Sequence, residues 1–539
     1  MSGIEQPANP LYETKPRRAG VLFHVASLPG PFGIGDMGKE ARAFADFLAE
    51  TGCALWQILP LGPTGFGNSP YAARSSFAGN ELLVSPELLA EEGWLEKRDL
   101  EELKAAFAPV RDTPPRRAGG NFSERVDYGL VEEKKLPLLR KAAAAFLDRP
   151  DSAGAEYAAF CEKERFWLSD YALFQVLCGI YRDARWHTVW DAPAAARDEA
   201  ALEKIRAEKK DEIEQWKVLQ WFFKRQWEDL KSHVNRGGLR IVGDIPIFVA
   251  PDSVDSWSHI DLFRTENGGY SVVSGVPPDY FSPTGQLWGN PVYDWDKMKE
   301  RGYVWWIARI KKLLEQVDIF RIDHFRGFDE YWAVPAGNPT AEYGNWEPGP
   351  GSDFFDALRT ALGELPVIAE DLGFMTDGVR RLRDGQGFPG MKVCQFGFED
   401  IKDGVLDARH LFLPHNYGYN WAAYTGTHDN DTTAGWYEKL SAADRRTVAE
   451  YFNAAGLPSG ADIAWAMIRA VSASHARYAI FPLQDILGLG SEARINIPAT
   501  CGSHNWSWRL GGPVREILDA DIARRFRRLN ELYGRIGPS

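Results

Sequence analysis

The chain has 539 residues, of which 45% are hydrophobic and 25% charged, and a formal net charge of −13. This acidic balance argues against nucleic acid or an anionic membrane as the main partner, because both attract basic surfaces. The composition is that of a globular protein long enough for several core-forming units, and it favours a neutral ligand.

The cysteines are scattered, odd in number and lack C-x-x-C spacing, so neither a disulfide framework nor a zinc site is indicated. They are Cys53, Cys161, Cys178, Cys394 and Cys501. The chain shows no basic segment followed by an apolar one at its start and no apolar run long enough to span a bilayer. We therefore expect a protein of the reducing cytoplasm.

The 20 Trp, 19 Tyr and 30 Phe mildly favour a carbohydrate ligand, because flat rings stack on the apolar faces of sugars.

Short apolar runs typical of β-strands recur along the chain, and most end in a charged or small polar residue. In chain order they are Gly20–Ser27, Leu55–Gly62, Leu239–Val249, Ile319–Phe325, Pro366–Asp371, Lys392–Gly397, Tyr424–Asp429 and Tyr478–Asp485. Segments with helical spacing lie between them, such as Gly38–Thr51, Tyr303–Glu315 and Gly351–Leu362. Eight strands that alternate with helices predict an α/β fold, the (β/α)8 or TIM barrel, with its active site at the carboxyl ends of the strands.

The interval between the second and third predicted strands is too long for a loop. Its charged, Ala-rich stretches predict amphipathic helices, and its Trp and Phe residues at helical spacing predict core packing. We therefore expect a large, mostly helical insertion between strands 2 and 3. The predicted division is an N-terminal extension over 1–19, a catalytic barrel over 20–510 interrupted by the insertion over 63–238 and by an active-site loop region over 250–300, and a C-terminal helix over 511–539 that closes the barrel.

Two loops rich in Gly and Pro follow predicted strands, Gly62–Tyr71 after the second and Gly275–Asn290 after the third. Their composition favours a semi-rigid rim around a ligand, although a plain surface loop is the alternative. The rings that such a rim would present are Tyr71, Tyr280, Phe281 and Trp288.

Chemically active side chains stand near the ends of several predicted strands. In the fourth strand Arg321 and Asp323 are two residues apart and share one face, while Phe320 and Ile322 share the other. Arg321 would then hold Asp323 charged and oriented. An isolated R-x-D pair is more often a structural ion pair. Other chemically active residues at equivalent strand ends favour an active site instead. They are Asp244, Glu370, His428 and Asp429.

Carboxylates after strands four, five and seven suggest glycoside chemistry, in which one attacks the anomeric carbon and another protonates the leaving oxygen. Asp323 suits the first role. Glu370 follows an apolar strand, whose burial would raise its pKa toward that of a general acid. Its neighbour Asp371 points the other way and could cap the following helix. Asp429 fits a site that binds sugar hydroxyls.

A divalent metal site is a competing interpretation, because Asp, Glu and His at barrel mouths also bind metal ions. The fixed positive charge of Arg321 beside Asp323 argues against it. A metal-dependent barrel enzyme therefore remains an alternative, but not the preferred one.

Five motifs follow one another along the chain: Gly243–Val249, Gly275–Ser282, Phe320–Gly327, Ile368–Gly373 and Gly426–Thr432. Together they resemble those of the amylomaltases, the 4-α-glucanotransferases or disproportionating enzymes of glycoside hydrolase family 77 in the α-amylase clan. The resemblance runs in order from about Gly20 to Leu510. One departure concerns a local turn, where Pro498-Ala499-Thr500 stands in place of Pro-Gly-Thr.

The resemblance implies a retaining mechanism in which Asp323 is the nucleophile, Glu370 the acid/base and Asp429 the stabiliser of the transition state. It also implies a set of substrate-binding residues: Ser69, Tyr71, Asp244, Gln286, Trp288, Arg321, His428 and Asn430. Neither a cofactor nor a metal is implied. The expected partners are maltooligosaccharides and α-1,4-glucans, with glucose as product and acceptor. An α-glucan hydrolase of the same clan and a non-catalytic glucan-binding protein are the alternatives.

Overall fold

A parallel sheet of eight strands forms the centre of the molecule in the computed structural model, which describes residues 15–108, 123–149, 154–278, 282–401, 404–454, 456 and 458–537. The strands are Arg18–Leu22 (β1), Leu55–Gln57 (β2), Arg240–Pro246 (β3), Ile319–Asp323 (β4), Val367–Ala369 (β5), Gly390–Val393 (β6), Trp421–Tyr424 (β7) and Tyr478–Pro482 (β8). Their order is β5-β4-β3-β2-β1-β8-β7-β6. The amide of Ala369 donates to the carbonyl of Pro389 at 2.8 Å, so the two outermost strands meet and the sheet closes into the predicted barrel.

The alternation of side chains along each strand separates two apolar layers. One buried cluster fills the barrel interior and includes Leu22, Leu55, Val242, Ile368, Met391, Ala422, Tyr424, Tyr478 and Ile480. Phe320 and Ile322 belong to the larger cluster that surrounds it, and the Arg321 guanidinium contacts Met391 of the interior. The predicted division of faces in β4 is therefore confirmed.

Helices surround the sheet between successive strands. The longer ones outside the predicted insertion are Lys39–Glu50, Val304–Gln316, Gly351–Leu362, Asp377–Gly385, Ala442–Tyr451, Gly460–Ala473 and Ala520–Leu532. Shorter ones are Val254–Ser258, Trp295–Glu300, Thr433–Lys439, Leu483–Leu487 and Val514–Ile517. Among the described residues, no helix combines the length and the apolar character needed to cross a membrane.

The interval between β2 and β3 is mostly helical, as its composition predicts. Its helices are Pro86–Glu91, Lys97–Phe107, Tyr128–Leu147, Gly154–Lys163, Arg165–Tyr181, Ala192–Ala195, Glu199–Glu208 and Lys210–Arg236. Trp221, Phe222, Phe223 and Trp227 of the last helix are buried, which confirms their prediction as core, whereas Trp216 is only partly buried. The same prediction is wrong for Phe166, which is 49% exposed. The division of the chain into subdomains stays a prediction.

An antiparallel sheet of four strands follows β3 and β4 in sequence. Its order is Asn345–Pro348, Glu330–Pro335, Val272–Val276 and Gln286–Pro291. Part of the predicted Gly275–Asn290 loop is therefore paired strand, because Val276 lies opposite Gln286 in a hairpin. Tyr280 and Phe281 lie outside the described residues. Two short antiparallel pairs complete the described strands: Ser123–Arg125 with Trp508–Leu510, and Thr265–Glu266 with Gly269–Tyr270.

Candidate active site

The register of three neighbouring barrel strands brings the predicted site residues together. Asp244 of β3 lies opposite Arg321 of β4, and Ile322 lies opposite Ala369 of β5. The amide of Glu370 donates to the carbonyl of Ile322 at 3.0 Å, which continues this pairing beyond the end of β5. Asp323 and Glu370 therefore follow one another around the carboxyl edge of the barrel, where active sites of this fold lie.

Arg321 is buried and binds two carboxylates at once. One terminal nitrogen donates to Oδ2 of Asp244 at 2.7 Å, and the other donates to Oδ1 of Asp323 at 2.8 Å. Burial disfavours the charged guanidinium, but the two carboxylates outweigh that effect and raise the pKa of Arg321. The predicted ion pair is thus part of a three-residue cluster, in which Asp244 holds the Arg321 guanidinium and the guanidinium orients Asp323.

Asp244 connects this cluster to the loop after β2. The Tyr71 hydroxyl donates to Oδ2 of Asp244 at 2.8 Å, and burial raises the pKa of Asp244 to about 6. Ser69 does not reach toward the carboxylates; its Oγ accepts from the Tyr71 amide at 3.2 Å and so fixes the turn that carries Tyr71. The Tyr71 ring stacks on the His428 ring, with centroids 5.2 Å apart and planes at 15°.

Glu370 is held by two main-chain donors. Its Oε2 accepts from the His324 amide at 2.8 Å and its Oε1 accepts from the Leu372 amide at 3.2 Å. His324 has φ 52°, a left-handed conformation that turns its amide toward Glu370 just after β4 ends. Burial raises the pKa of Glu370 to about 7, and the charge of Asp323 adds to this effect against the opposing charge of Arg321.

The alternative that Asp371 caps the next helix is wrong. Asp371 accepts from the Met391 amide at 2.7 Å and from the Arg383 guanidinium, and is buried. The helix Asp377–Gly385 is capped by Thr376, whose Oγ1 accepts from the Val379 amide. The intervening loop separates Asp371 from the helix end, so its carboxylate joins β5 to β6 instead.

Asp429 is fixed by side chains from two segments. Its Oδ1 accepts from Nδ2 of Asn496 at 2.7 Å, and its Oδ2 lies 3.3 Å from Nε2 of His428. Burial favours the neutral acid, yet His428 and Asn496 together hold the pKa of Asp429 well below its usual range. Arg494 donates to the main-chain carbonyl of Asp429 at 2.6 Å, which holds the backbone as well.

The seventh strand begins and ends earlier in the sequence than we predicted. The strand is Trp421–Tyr424, whereas we expected Tyr424–Asp429. The residues that follow form a turn in which Oδ1 of Asn430 accepts from both the amide and the hydroxyl of Thr427 at 2.9 Å. Asn430 is partly exposed, and its carbonyl oxygen shapes the loop that carries His428 and Asp429.

The hairpin strand Gln286–Pro291 borders the same site. The Trp288 ring meets the His324 ring edge-on, with centroids 4.7 Å apart, and is 38% exposed. The Trp288 indole donates to Oε1 of Gln286 at 3.4 Å. The predicted rim therefore reaches the turn directly after Asp323.

Sequence reasoning missed several residues of this site. Asn496, Arg494 and the turn residue His324 were not singled out as site residues. Trp506 was not singled out either, although its ring lies 5.6 Å from Tyr71 and 5.8 Å from His428. The signal that could have identified Trp506 is the aromatic-rich stretch Asn505-Trp506-Ser507-Trp508-Arg509. Within the described ranges, His, Cys, Asp and Glu side chains form no group of three or more able to hold a metal ion.

Comparison with known proteins identifies the family. Residues 23–514 match the family model of glycoside hydrolase family 77, described as 4-alpha-glucanotransferase. The chain belongs to this family. A 4-alpha-glucanotransferase of Synechocystis is 46% identical to it over 524 residues, which cover 96% of this chain and 98% of the relative. One from Thermus thermophilus is 44% identical over 501 residues, which cover 92% of this chain and 95% of the relative.

A solved structure supports the assignment of this chain to family 77. An amylomaltase from Streptococcus agalactiae, solved in complex with acarbose, superposes with a TM-score of 0.87 at 37% identity. The alignment covers 96% of this chain and 99% of that one. The family 77 assignment therefore rests on sequence and fold alike, and confirms the resemblance read from the motifs.

Proposed function

We propose that this protein is a 4-α-glucanotransferase, which moves α-1,4-glucan segments from one maltooligosaccharide or glucan to the 4-hydroxyl of another. The observation that carries the proposal is the pairing of two carboxyl groups with opposite environments at neighbouring strand ends. Asp323 is held by Arg321, and Glu370 is buried with its pKa raised to about 7. Retaining glycoside chemistry requires one carboxylate that attacks the sugar and one protonated carboxyl group that donates to the leaving oxygen.

In the first step of the proposed mechanism, Asp323 attacks the anomeric carbon of the donor. The glycosidic bond breaks, its electron pair stays on the leaving oxygen, and Glu370 gives that oxygen its proton. A covalent glucosyl ester on Asp323 results, with inverted configuration. Asp429, held in its charged form by His428 and Asn496, stabilises the positive charge that develops on the sugar.

In the second step the 4-hydroxyl of an acceptor attacks the same carbon. Glu370, now a carboxylate, takes the hydroxyl proton, and the ester bond to Asp323 breaks. The second inversion restores the original configuration. Arg321 supports both steps because it contacts the released carboxylate of Asp323 and keeps it aligned for the next turnover.

Transfer instead of hydrolysis requires that a sugar hydroxyl outcompete water. Trp288 stands beside the turn after Asp323 and remains partly exposed, so a bound acceptor can cover the ester on that side. The proposed partners are maltooligosaccharides and α-1,4-glucans, with glucose as product and acceptor. A reducing cytoplasm is the proposed compartment, supported by five cysteines that are all free thiols.

Incubation of the purified protein with maltotriose tests the proposal. We expect glucose and a ladder of longer oligosaccharides, with little gain in total reducing ends. A steady rise in reducing ends would favour the hydrolase instead, and an unchanged substrate would favour a binding protein. Loss of activity on treatment with EDTA would support a metal-dependent enzyme.

A further inference from the structure

Two exposed aromatic rings flank the site on the side of β4 and β5. Phe374 is 80% exposed and Trp346 is 39% exposed, while Arg326 between them is buried. The Arg326 guanidinium lies 3.8 Å from the centroid of the Trp346 ring and 5.7 Å from that of Phe374. We call these two rings, with the guanidinium between them, the aromatic platform.

Neighbouring groups hold the Arg326 guanidinium and the Trp346 ring, and Phe374 is held through its main-chain carbonyl. Arg326 donates to the main-chain carbonyl of Phe374 and to the carboxylate of Glu330. Trp346 pairs with Trp332 across two antiparallel strands, and the two rings meet edge-on at 5.3 Å. A ring fixed as Trp346 is loses little conformational entropy when a ligand binds to it.

The platform is connected to both proposed catalytic carboxyl groups. Arg326 follows Asp323 by three residues, and Phe374 follows Glu370 by four. The amide of Leu372 in the same loop donates to Glu370. The residues around Asp429 and Tyr71 instead follow β7 and β2, so the platform belongs to the side of the barrel that carries Glu370.

The chemistry of this surface suits a sugar chain. One face of Trp346 is covered by the guanidinium, and the exposed remainder of both rings offers flat apolar area next to the site. Flat rings bind the apolar C–H faces of pyranose units without needing fixed hydrogen-bond partners. In the proposed mechanism the leaving oxygen meets Glu370, so the sugar chain attached to that oxygen is the part of the substrate next to this loop.

We propose that Phe374 and Trp346 form a subsite for the glucose units of the leaving and acceptor chains that lie beyond the first acceptor unit. This inference rests on the proposed transferase function. It assigns to these two rings a preference for long acceptors over glucose.

The test uses α-maltosyl fluoride as donor, whose small leaving group does not reach the platform. Fluoride release is followed without acceptor, with glucose and with maltotetraose. For Phe374→Ala we expect the KM for maltotetraose to rise about fivefold, the magnitude of one lost ring contact. The KM for glucose and fluoride release without acceptor should stay within about twofold. Phe374→Tyr keeps a flat ring and should restore the wild-type KM, and Trp346→Phe should lie between the wild type and Phe374→Ala.

The outcomes separate the subsite from the function on which it rests. The main-chain carbonyl that binds Arg326 remains in Phe374→Ala, so that variant tests the ring alone. Phe166→Ala, another exposed ring but on the helix Arg165–Tyr181, is the matched control and should change none of the constants. A wild-type enzyme that makes no transfer product overturns the transferase proposal. If the wild-type enzyme does make transfer product, the subsite proposal alone is overturned by either of two results. Phe374→Ala leaves the KM for maltotetraose unchanged, or it lowers every rate equally.

Discussion

Arg321 couples the charges of the site at the scale of single residues. It is the only side chain that joins Asp244 and Asp323 by hydrogen bonds among those described, and it lies in the barrel interior. A buried cation without partners would be costly, and so would its two carboxylate partners without a cation, because Asp244 is buried and Asp323 is partly buried. The three groups are stable together because each charge is compensated, and Asp323 is thereby oriented before substrate binds.

Replacement of Asp323 tests its role directly. We expect Asp323→Asn to lower kcat for maltotriose at least about a thousandfold, because an amide cannot form the covalent ester. Product analysis by chromatography gives the rate. Asp356→Asn, an exposed change on the outer helix Gly351–Leu362, should leave the rate unchanged. Activity of Asp323→Asn within tenfold of wild type would reject the assignment.

The raised pKa of Glu370 predicts a pH dependence. With a pKa of about 7, Glu370 is protonated at lower pH and loses its proton as the pH rises through that value. Cleavage of maltotriose needs the protonated form, so kcat/KM should fall about tenfold per pH unit on the basic side. Initial rates between about pH 5 and pH 9 measure this limb.

The variant Glu370→Gln distinguishes this residue from other titrating groups. It should lose most activity on maltotriose and show no basic limb, because the amide does not titrate. Its first step on α-maltosyl fluoride should be retained, since fluoride leaves without protonation. A basic limb that persists in Glu370→Gln would assign the titration to another group.

At the scale of elements, the amino-acid pattern predicted the barrel strands better than it predicted where each strand ends and what the connecting segments form. The apolar runs located all eight strands because sheet burial imposes them. The end of β7 was placed too late, since the turn around Asn430 is local hydrogen bonding and has no strand periodicity. The hairpin that carries Trp288 was predicted as a loop because Gly and Pro dominate it.

Residues distant in sequence were harder to predict for a different reason. Asn496 contacts Asp429 across 67 residues, and no local pattern indicates that pairing. The departure at Ala499 is visible in the backbone, whose φ of 59° is the left-handed conformation that favours glycine. Motif resemblance therefore points to the proposed catalytic carboxylates, whereas the side chains that orient them emerged only from the fold.

The hairpin strand beside the site predicts a change in product balance. We expect Trp288→Ala to raise the ratio of hydrolysis to transfer at least about threefold, because water gains access to the ester on Asp323. Reducing ends and oligosaccharide products measured in one reaction with maltotriose give that ratio. Leu287→Ala on the same strand is the matched control, since Leu287 is also 38% exposed but points to the opposite face. An unchanged ratio in Trp288→Ala would contradict the role given to the rim.

At the scale of the whole molecule, Arg535 joins the start of the first barrel strand to the segment that precedes the last one. It is fully buried in the described structure and donates to the carbonyls of Ser472, Ser474 and Ala476 at 2.7, 3.0 and 3.0 Å. It also reaches the carbonyl of Arg18 at the amino end of β1. These contacts lie at the end of the barrel opposite to the proposed catalytic carboxylates, where side chains contribute to stability.

Arg535→Met should therefore separate stability from catalysis. The change leaves several buried carbonyls without donors, at roughly 1 to 3 kcal/mol for each that finds no new partner. We expect the free energy of unfolding, measured by urea titration with tryptophan fluorescence, to fall by about 3 kcal/mol or more. Transfer activity at 25 °C should stay within about twofold, because no proposed catalytic residue contacts Arg535. Arg528→Met is the control, with a side chain 73% exposed, and should shift stability by less than about 0.5 kcal/mol. Equal stability of the two variants would show that the buried guanidinium does not hold the termini together.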